Sequence, residues 1–239
     1  MRHTDLWFSR IDRGSIVELG AARSGPCLSA FFPVPARSDA RNRTFDAVYD
    51  QVSSALKANL PTGLAAAILR GVGSVLAAPK SWRPACESLA VYSSGDTFAV
   101  VAASLKLPHS VQIAPRFLTR PLLRGLAEEP RYDRRALLGK SIDQLPGRRT
   151  VTGIAEILQA AARGEVRYLL LTEDGVARGR ADPGTGEVLE TTTPGPEDDD
   201  LLDLAAVKTL ETGGQVGVAR RGQLATRGSI VIAVVAEGH

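Results

Sequence analysis

Apolar residues at Phe45, Val48, Val52, Leu56 and Leu60 recur at spacings of three and four, which sets them on one face of a helix over residues 42–60. Asp39 stands where it can cap that helix, and Pro61-Thr-Gly63 ends it. A second helix is predicted over Leu64–Leu76, followed by a loop over Pro79–Pro84 that includes Trp82. Shorter apolar runs read as strands. Cys27–Val34 is one, closed by Pro33 and Pro35; Ser88–Ser93 and Thr97–Ala103 form a hairpin about Ser94-Gly-Asp96; Ser110–Ala114 is another. Gly14–Leu19 reads equally as a helix start or a strand, and Thr119–Leu126 as a short helix. The first half is therefore expected to be a mixed α+β domain.

Between Glu128 and Arg149 the pattern gives way to four acidic and six basic residues with two prolines, the composition of a connection. Whether Ala136–Leu145 holds a short helix is left open by the pattern. From Val151 onward the order reads helix (Gly153–Ala162), strand (Val166–Thr172), long loop (Ala181–Asp199), helix (Asp200–Glu211), strand (Gly213–Ala219) and a last strand. The loop is rich in Pro, Gly, Thr and acidic residues, so it is expected to be exposed and mobile. Asp198, Asp199 and Asp200 fall where a helix begins; there they oppose the positive end of its dipole, and one of them can cap it, without a metal. The expected organisation is an N-terminal α+β domain over 1–127, a charged connecting segment over 128–150 and a C-terminal α/β domain over 151–239.

Composition changes this picture little. The chain has 239 residues, 44% of them hydrophobic and 23% charged, which suits a globular protein of one large or two small domains. No apolar run approaches the roughly 20 residues that span a bilayer, and the first residues lack an apolar core of signal-peptide length, so a cytoplasmic protein without a membrane partner is expected. Cys27 and Cys86 sit apart in apolar surroundings, which provides neither a disulfide framework nor a zinc ligand set. Charge is more informative. Residues 1–125 carry 15 Lys and Arg against 8 Asp and Glu, and the remainder 14 against 18. A basic front half is compatible with a phosphate-bearing partner such as ribosomal RNA, although aromatic residues are only 5% and no aromatic-basic stripe is present.

Motifs that would carry catalysis fail on their surroundings. Gly139-Lys140-Ser141 resembles the end of a phosphate-binding loop, but Arg134 stands where that loop requires glycine. Asn42-Arg43-Thr44 matches a glycosylation acceptor without a secretory signal. GxSxG and HExxH do not occur, and the one internal histidine, His109, follows Pro108 in a loop. Gly213-Gly214-Gln215 spells the peptidyl-tRNA hydrolysis tripeptide of release factors. It lies between a helix and a strand, however, where Gly213 and Gly214 make the turn and Gln215 opens the strand.

The stretches Gly153–Thr172 and Asp199–Val216 resemble the C-terminal domain of the bacterial branch of the archaeo-eukaryotic peptide-chain release factor superfamily. A weaker likeness to that family's N-terminal domain runs through Pro26–Pro33, the helix after Arg41, Ser88–Tyr92 and Phe117–Leu123; together these cover about two thirds of the chain. The resemblance implies an α/β/α sandwich similar to kink-turn-binding ribosomal proteins. Two departures limit what it implies about activity. Residues 126–151 leave no room for the family's catalytic middle domain, and the positions that in the kink-turn-binding relatives contact RNA are here Ala155 and Gln159. The expectation is a non-enzymatic, cofactor-free adaptor of translation or ribosome quality control, with ribosome or ribosomal RNA as partner, not DNA, and Arg41, Arg43, Arg148 and Arg149 docking on phosphate. A protein-interaction module or homo-oligomer without a nucleic-acid role is the alternative. The third is a hydrolase using loop carboxylates such as Asp182 and Glu187.

Overall fold

A computed structural model describes residues 4–8, 11–21, 25–35, 38–76, 86–95, 97–126, 148–182, 184–189, 195, 198–220, 224 and 229–236. The predicted loop over 79–84 with Trp82, Asp96 of the hairpin turn and the connection up to residue 147 lie outside the described residues. The fold is α/β, in two compact units, Met1–Leu118 and Thr119–His239. Thr119–Leu126, placed by sequence in the N-terminal domain, thus belongs to the second unit. No described helix is long and apolar enough to cross a membrane.

In the first unit, β1 (Thr4–Phe8), β2 (Cys27–Pro33), β3 (Ser88–Ser93), β4 (Thr97–Ala103) and β5 (Ser110–Ala114) form one sheet in the order β1-β4-β3-β2-β5. All neighbours are antiparallel except β1, which runs parallel to β4 and had no signature in the pattern. Gly14–Leu19 proves helical, inside α1 (Arg13–Ala21). Its start is a reciprocal cap in which Ser15 N donates to Asp12 Oδ1 and Asp12 N donates to Ser15 Oγ.

The two predicted amphipathic helices are α2 (Ser38–Asn59) and α3 (Thr62–Leu76). Their stripe of Phe45, Val48, Val52, Leu56, Ile68 and Val72 is buried with Leu28, Phe32, Leu89, Val91 and Val100 of the sheet, as period-2 alternation in the strands requires. The alternate strand residues are buried as well: Phe31 meets Tyr92 edge-on at 5.8 Å, and Tyr92 meets Phe117 at 5.3 Å. Burial on both faces is why β2 and β3 read as nearly continuous apolar runs.

The second unit is built on β6 (Arg148–Val151), α4 (Ile154–Ala162), β7 (Val166–Thr172), α5 (Leu201–Glu211), β11 (Gln215–Ala219) and β12 (Val231–Ala236), with sheet order β11-β7-β12-β6. The connections β6-α4-β7 and β7-α5-β11 step across the sheet in the same direction. Right-handed crossovers then place both helices on one face, and α4 packs against α5. The opposite face carries Tyr168, Leu170, Ala219, Ile232 and Val234, buried around Leu224.

The segment between β7 and α5 departs from its expectation. Rather than an exposed loop throughout, it holds three short antiparallel strands, β8 (Arg178–Ala181), β9 (Val188–Leu189) and β10 (Asp199–Asp200). Asp182 Oδ1 accepts from Gly184 N at 2.9 Å, Thr185 N at 2.7 Å and the Thr185 hydroxyl at 3.0 Å, which holds Gly184 and Thr185 in a tight turn about the Asp182 carboxylate. Gly186 is then tucked against α4 at φ +73°, where a Cβ would sit 2.3 Å from the Leu158 carbonyl oxygen. Residues that promote disorder elsewhere here encode a turn, because glycine alone permits that approach.

Gly186→Ala is therefore expected to lower stability by about 2–3 kcal/mol in urea unfolding, since it combines a left-handed φ with a backbone clash. Gly63→Ala, in the first turn of α3 with open space around it, is the matched control and should be neutral or stabilising by about 0.5–1 kcal/mol.

Candidate functional site

The densest arrangement of buried charge lies where α5 begins. Asp200 is its N-cap: the side chain accepts from Leu202 N at 3.1 Å and Asp203 N at 3.2 Å, which assigns one of the three consecutive aspartates the capping role. Asp203, one turn on, cannot reach water because nine of the helix's eleven residues are buried. Its donors come from a 3-10 helix over Arg120–Gly125. Thr119, the N-cap of that helix, makes no capping bond with its own side chain; Asp203 caps it instead. Thr119 N at 3.0 Å, the Thr119 hydroxyl at 3.0 Å and Arg120 N all donate to Asp203 Oδ1, while Oδ2 receives only a 3.1 Å contact from Thr119 N. One carboxylate thus satisfies the orphan donors of a second element.

Arg120 completes the cluster. Its guanidinium donates to the Gly175 carbonyl at 2.6 Å and pairs with Asp200 Oδ2 at 3.0 Å. Burial, and then the charge of Asp200, push the Asp203 carboxyl up to about 7, against the opposing pull of the Thr119 donors and Arg120. Asp200 is raised too, chiefly by burial, with Arg120, the two capped amides and Arg178 acting the other way. A carboxyl raised in the folded state contributes stability that is fully present below its ordinary range near 4 and is lost as pH rises toward about 7. Chemically, the arrangement fastens elements together. Asp203 Oδ1 has three donors, Asp200 Oδ1 two amides and Asp200 Oδ2 the guanidinium, so the inward oxygens face protein donors. Among the described residues no group of three or more His, Cys, Asp or Glu side chains is placed to hold a metal ion.

The Gly-Gly-Gln tripeptide follows the same helix. Gly213 N donates to Leu210 O at 3.2 Å and Gly214 N to Thr209 O at 2.8 Å, with Gly213 at φ +97°, the pair of bonds that defines a Schellman end. A Cβ on Gly214 would lie 2.4 Å from the Val166 carbonyl oxygen. Gln215 is already in β11, paired in register with Tyr168 of β7. The other helix of this unit ends in the same way: Gly164, at φ +73°, donates to Ala161 O, and Glu165 N donates to Ala160 O before β7 starts. Thr212-Gly213-Gly214 is thus the second copy of a helix-to-strand join that needs no glutamine.

The four arginines singled out by sequence fall two in each unit. Arg43 is exposed on α2 of the first unit, and Arg149 is exposed on β6 of the second. The side chains of Arg41 and Arg148 lie outside the described residues, though their backbones belong to α2 and β6. Arg149 is not an isolated cation, since it bonds Glu156 of α4. Other second-unit cations are matched likewise: Arg124 with Glu173 at 3.3 Å, Arg163 with Glu165 at 2.7 Å, Arg180 with Asp198 at 3.5 Å, and Lys208 with Glu211. Ala155 is exposed at the start of α4 and Gln159 half-buried. Asp182, named for the hydrolase alternative, has its carboxylate in the turn described above. Sequence reasoning missed Thr119, Arg120 and Asp203. The one available signal was an aspartate within Leu201-Leu-Asp-Leu-Ala-Ala-Val207, a polar residue in an otherwise apolar helix.

No protein-family model matches the chain, and no curated protein matches it.

Asp203→Ala should destabilise the protein by about 3 kcal/mol, measured by chemical denaturation, because it leaves three donors without an acceptor. Thr209→Val should be neutral or stabilising by up to about 1 kcal/mol, since the buried Thr209 hydroxyl has no hydrogen-bond partner among the described residues. At the turn, Gly214→Ala should unfold at markedly lower denaturant than the parent, whereas Gln215→Ala should leave both stability and any ribosome-linked activity unchanged.

Proposed function

We propose that this protein is a non-enzymatic, release-factor-like adaptor of the cytoplasm that docks on the ribosome or its RNA. The observation that carries the reading is the folding of the two resembling stretches as adjacent repeats of one motif: Gly153–Thr172 supplies α4 and β7, Asp199–Val216 supplies α5 and the start of β11, and β7 and β11 lie side by side and parallel. A fixed Gln215 supports the non-enzymatic part, because hydrolysis by the tripeptide requires a glutamine at the tip of a mobile loop. Docking relies on charge and shape. The basic front half, with Arg43 exposed on α2, is the better phosphate-facing segment, since Arg149 shares its charge with Glu156.

A second reading, docking on a protein alone, is favoured by Val176 and Leu189, which are 69% and 55% exposed around β8 and β9. Co-sedimentation with ribosomes across a salt series separates the two. Saturable binding that weakens with salt is expected, with Arg41→Ala/Arg43→Ala losing about two from the slope of log affinity against log salt, and Arg148→Ala/Arg149→Ala losing less. Absence of binding at low salt would overturn the ribosomal reading and leave the protein-docking one.

A further inference from the structure

We propose that Thr119–Gly125 is a proton-linked clasp, fastened to the start of α5 through the Asp203 carboxyl and released from it as pH rises, while the sheet of the same unit stays folded. The attachment is local and polar. Thr119 N, the Thr119 hydroxyl and Arg120 N all converge on Asp203 Oδ1, and the Arg120 side chain reaches on to Asp200 and the Gly175 carbonyl. These bonds leave Asp203 Oδ2 with a single contact of 3.1 Å, so that oxygen can carry a proton without disturbing the three donors on its neighbour. The closed clasp therefore accepts the neutral acid.

Charge around Asp203 is unbalanced in the same sense. Two carboxylates, Asp200 and Asp203, share one adjacent guanidinium, Arg120, and Arg178 of β8 acts on Asp200. From α4 and β7 the residues turned inward are apolar, Ile157, Leu158, Ala160 and Ala161 of α4 and Leu169 and Leu171 of β7, while β10 adds the buried carboxylate of Asp199 beside Asp200. Among the described residues, Arg120 and Arg178 are the cations that act on the pair. A buried anion in that setting is penalised, which agrees with the raised carboxyl of Asp203. Opening the clasp returns the carboxyl to water and to its ordinary acidity, so closure takes up a proton and opening gives it back. Leu122 and Leu123 are buried, which keeps the closed state in the majority. The 3-10 helix also packs on β11, the end strand of the described sheet, so release loosens a contact of that strand as well.

Native-state hydrogen exchange, with rates divided by the intrinsic rate at each pH, tests this. Protection of the Thr119 and Arg120 amides should fall by about tenfold per pH unit from roughly pH 5 and level off above about 7, while Leu169 and Leu170 of β7, which exchange only on wider unfolding, stay far better protected than the clasp at every pH and share only the linkage of Asp203 to global stability. Asp203→Asn retains the Oδ1 acceptor and places an uncharged group at Oδ2, so the clasp in that variant should stay closed and flat across the pH range. Asp203→Ala should lose protection at every pH. The proposal is overturned if the parent shows no pH dependence at Thr119 and Arg120, if β7 is no better protected than they are, or if Asp203→Asn keeps the parental slope.

Discussion

A carboxylate buried in a helix must find donors, and that requirement at Asp203 organises the second unit. The helix that carries it is enclosed on nearly every side, so the donors cannot be water. They come from the open end of a 3-10 helix whose first two amides have no acceptor of their own. Two deficits thus cancel. The match draws Arg120 to Asp200 and Gly175, and with that it ties the 3-10 helix, α5 and the approach to β8 into one network. Removing the acceptor would leave the remainder worse off than an apolar replacement of the whole cluster, which is the usual asymmetry of buried polar groups.

Against that network the rest of the unit follows simple geometry. Two helices joined to parallel strands by right-handed crossovers in one direction must share a face, and sharing it brings α4 and α5 into contact. Close packing of the pair leaves little space between the helix ends and the strands that follow. Both ends are therefore turned by a left-handed glycine, Gly164 and Gly213, with matching hydrogen bonds. A third glycine, Gly186, lets the β8–β9 turn lie directly on the backbone of α4.

How much of this was legible in the sequence depended on the range of the interaction. Period-3.6 and period-2 patterns need only neighbours, so the stripe from Phe45 to Leu56 and the hairpin of Ser88–Ala103 are where periodicity places them, within a few residues at the helix ends. The α1 helix, ambiguous in pattern, is decided by the Asp12–Ser15 cap, a local bond that the spacing allowed but did not require. β1 is held by parallel pairing to a strand some ninety residues away, and such pairing leaves no short-range mark. Asp182–Glu187 was misjudged because Pro, Gly and Thr were weighed as composition, when Asp182 Oδ1 makes them a turn. Asp203 and Thr119 lie 84 positions apart, so the aspartate could be seen as out of place but its partner could not be named.

The glycine pair before Gln215 illustrates why a short motif carries chemistry only with its mechanical setting. A catalytic glutamine must travel to its substrate, which requires a backbone free of ladder bonds and helix-end bonds. Here the amide of Gly214 is held by Thr209 O, the space above its Cα is filled by Val166 O, and the next residue is already in register with Tyr168. Freeing Gln215 would mean breaking the Schellman end and the first pairs of β11, which would disturb the parallel β7–β11 pair of the sheet. The glycines are explained by the path of the chain, as Gly164 is at a join where no glutamine follows.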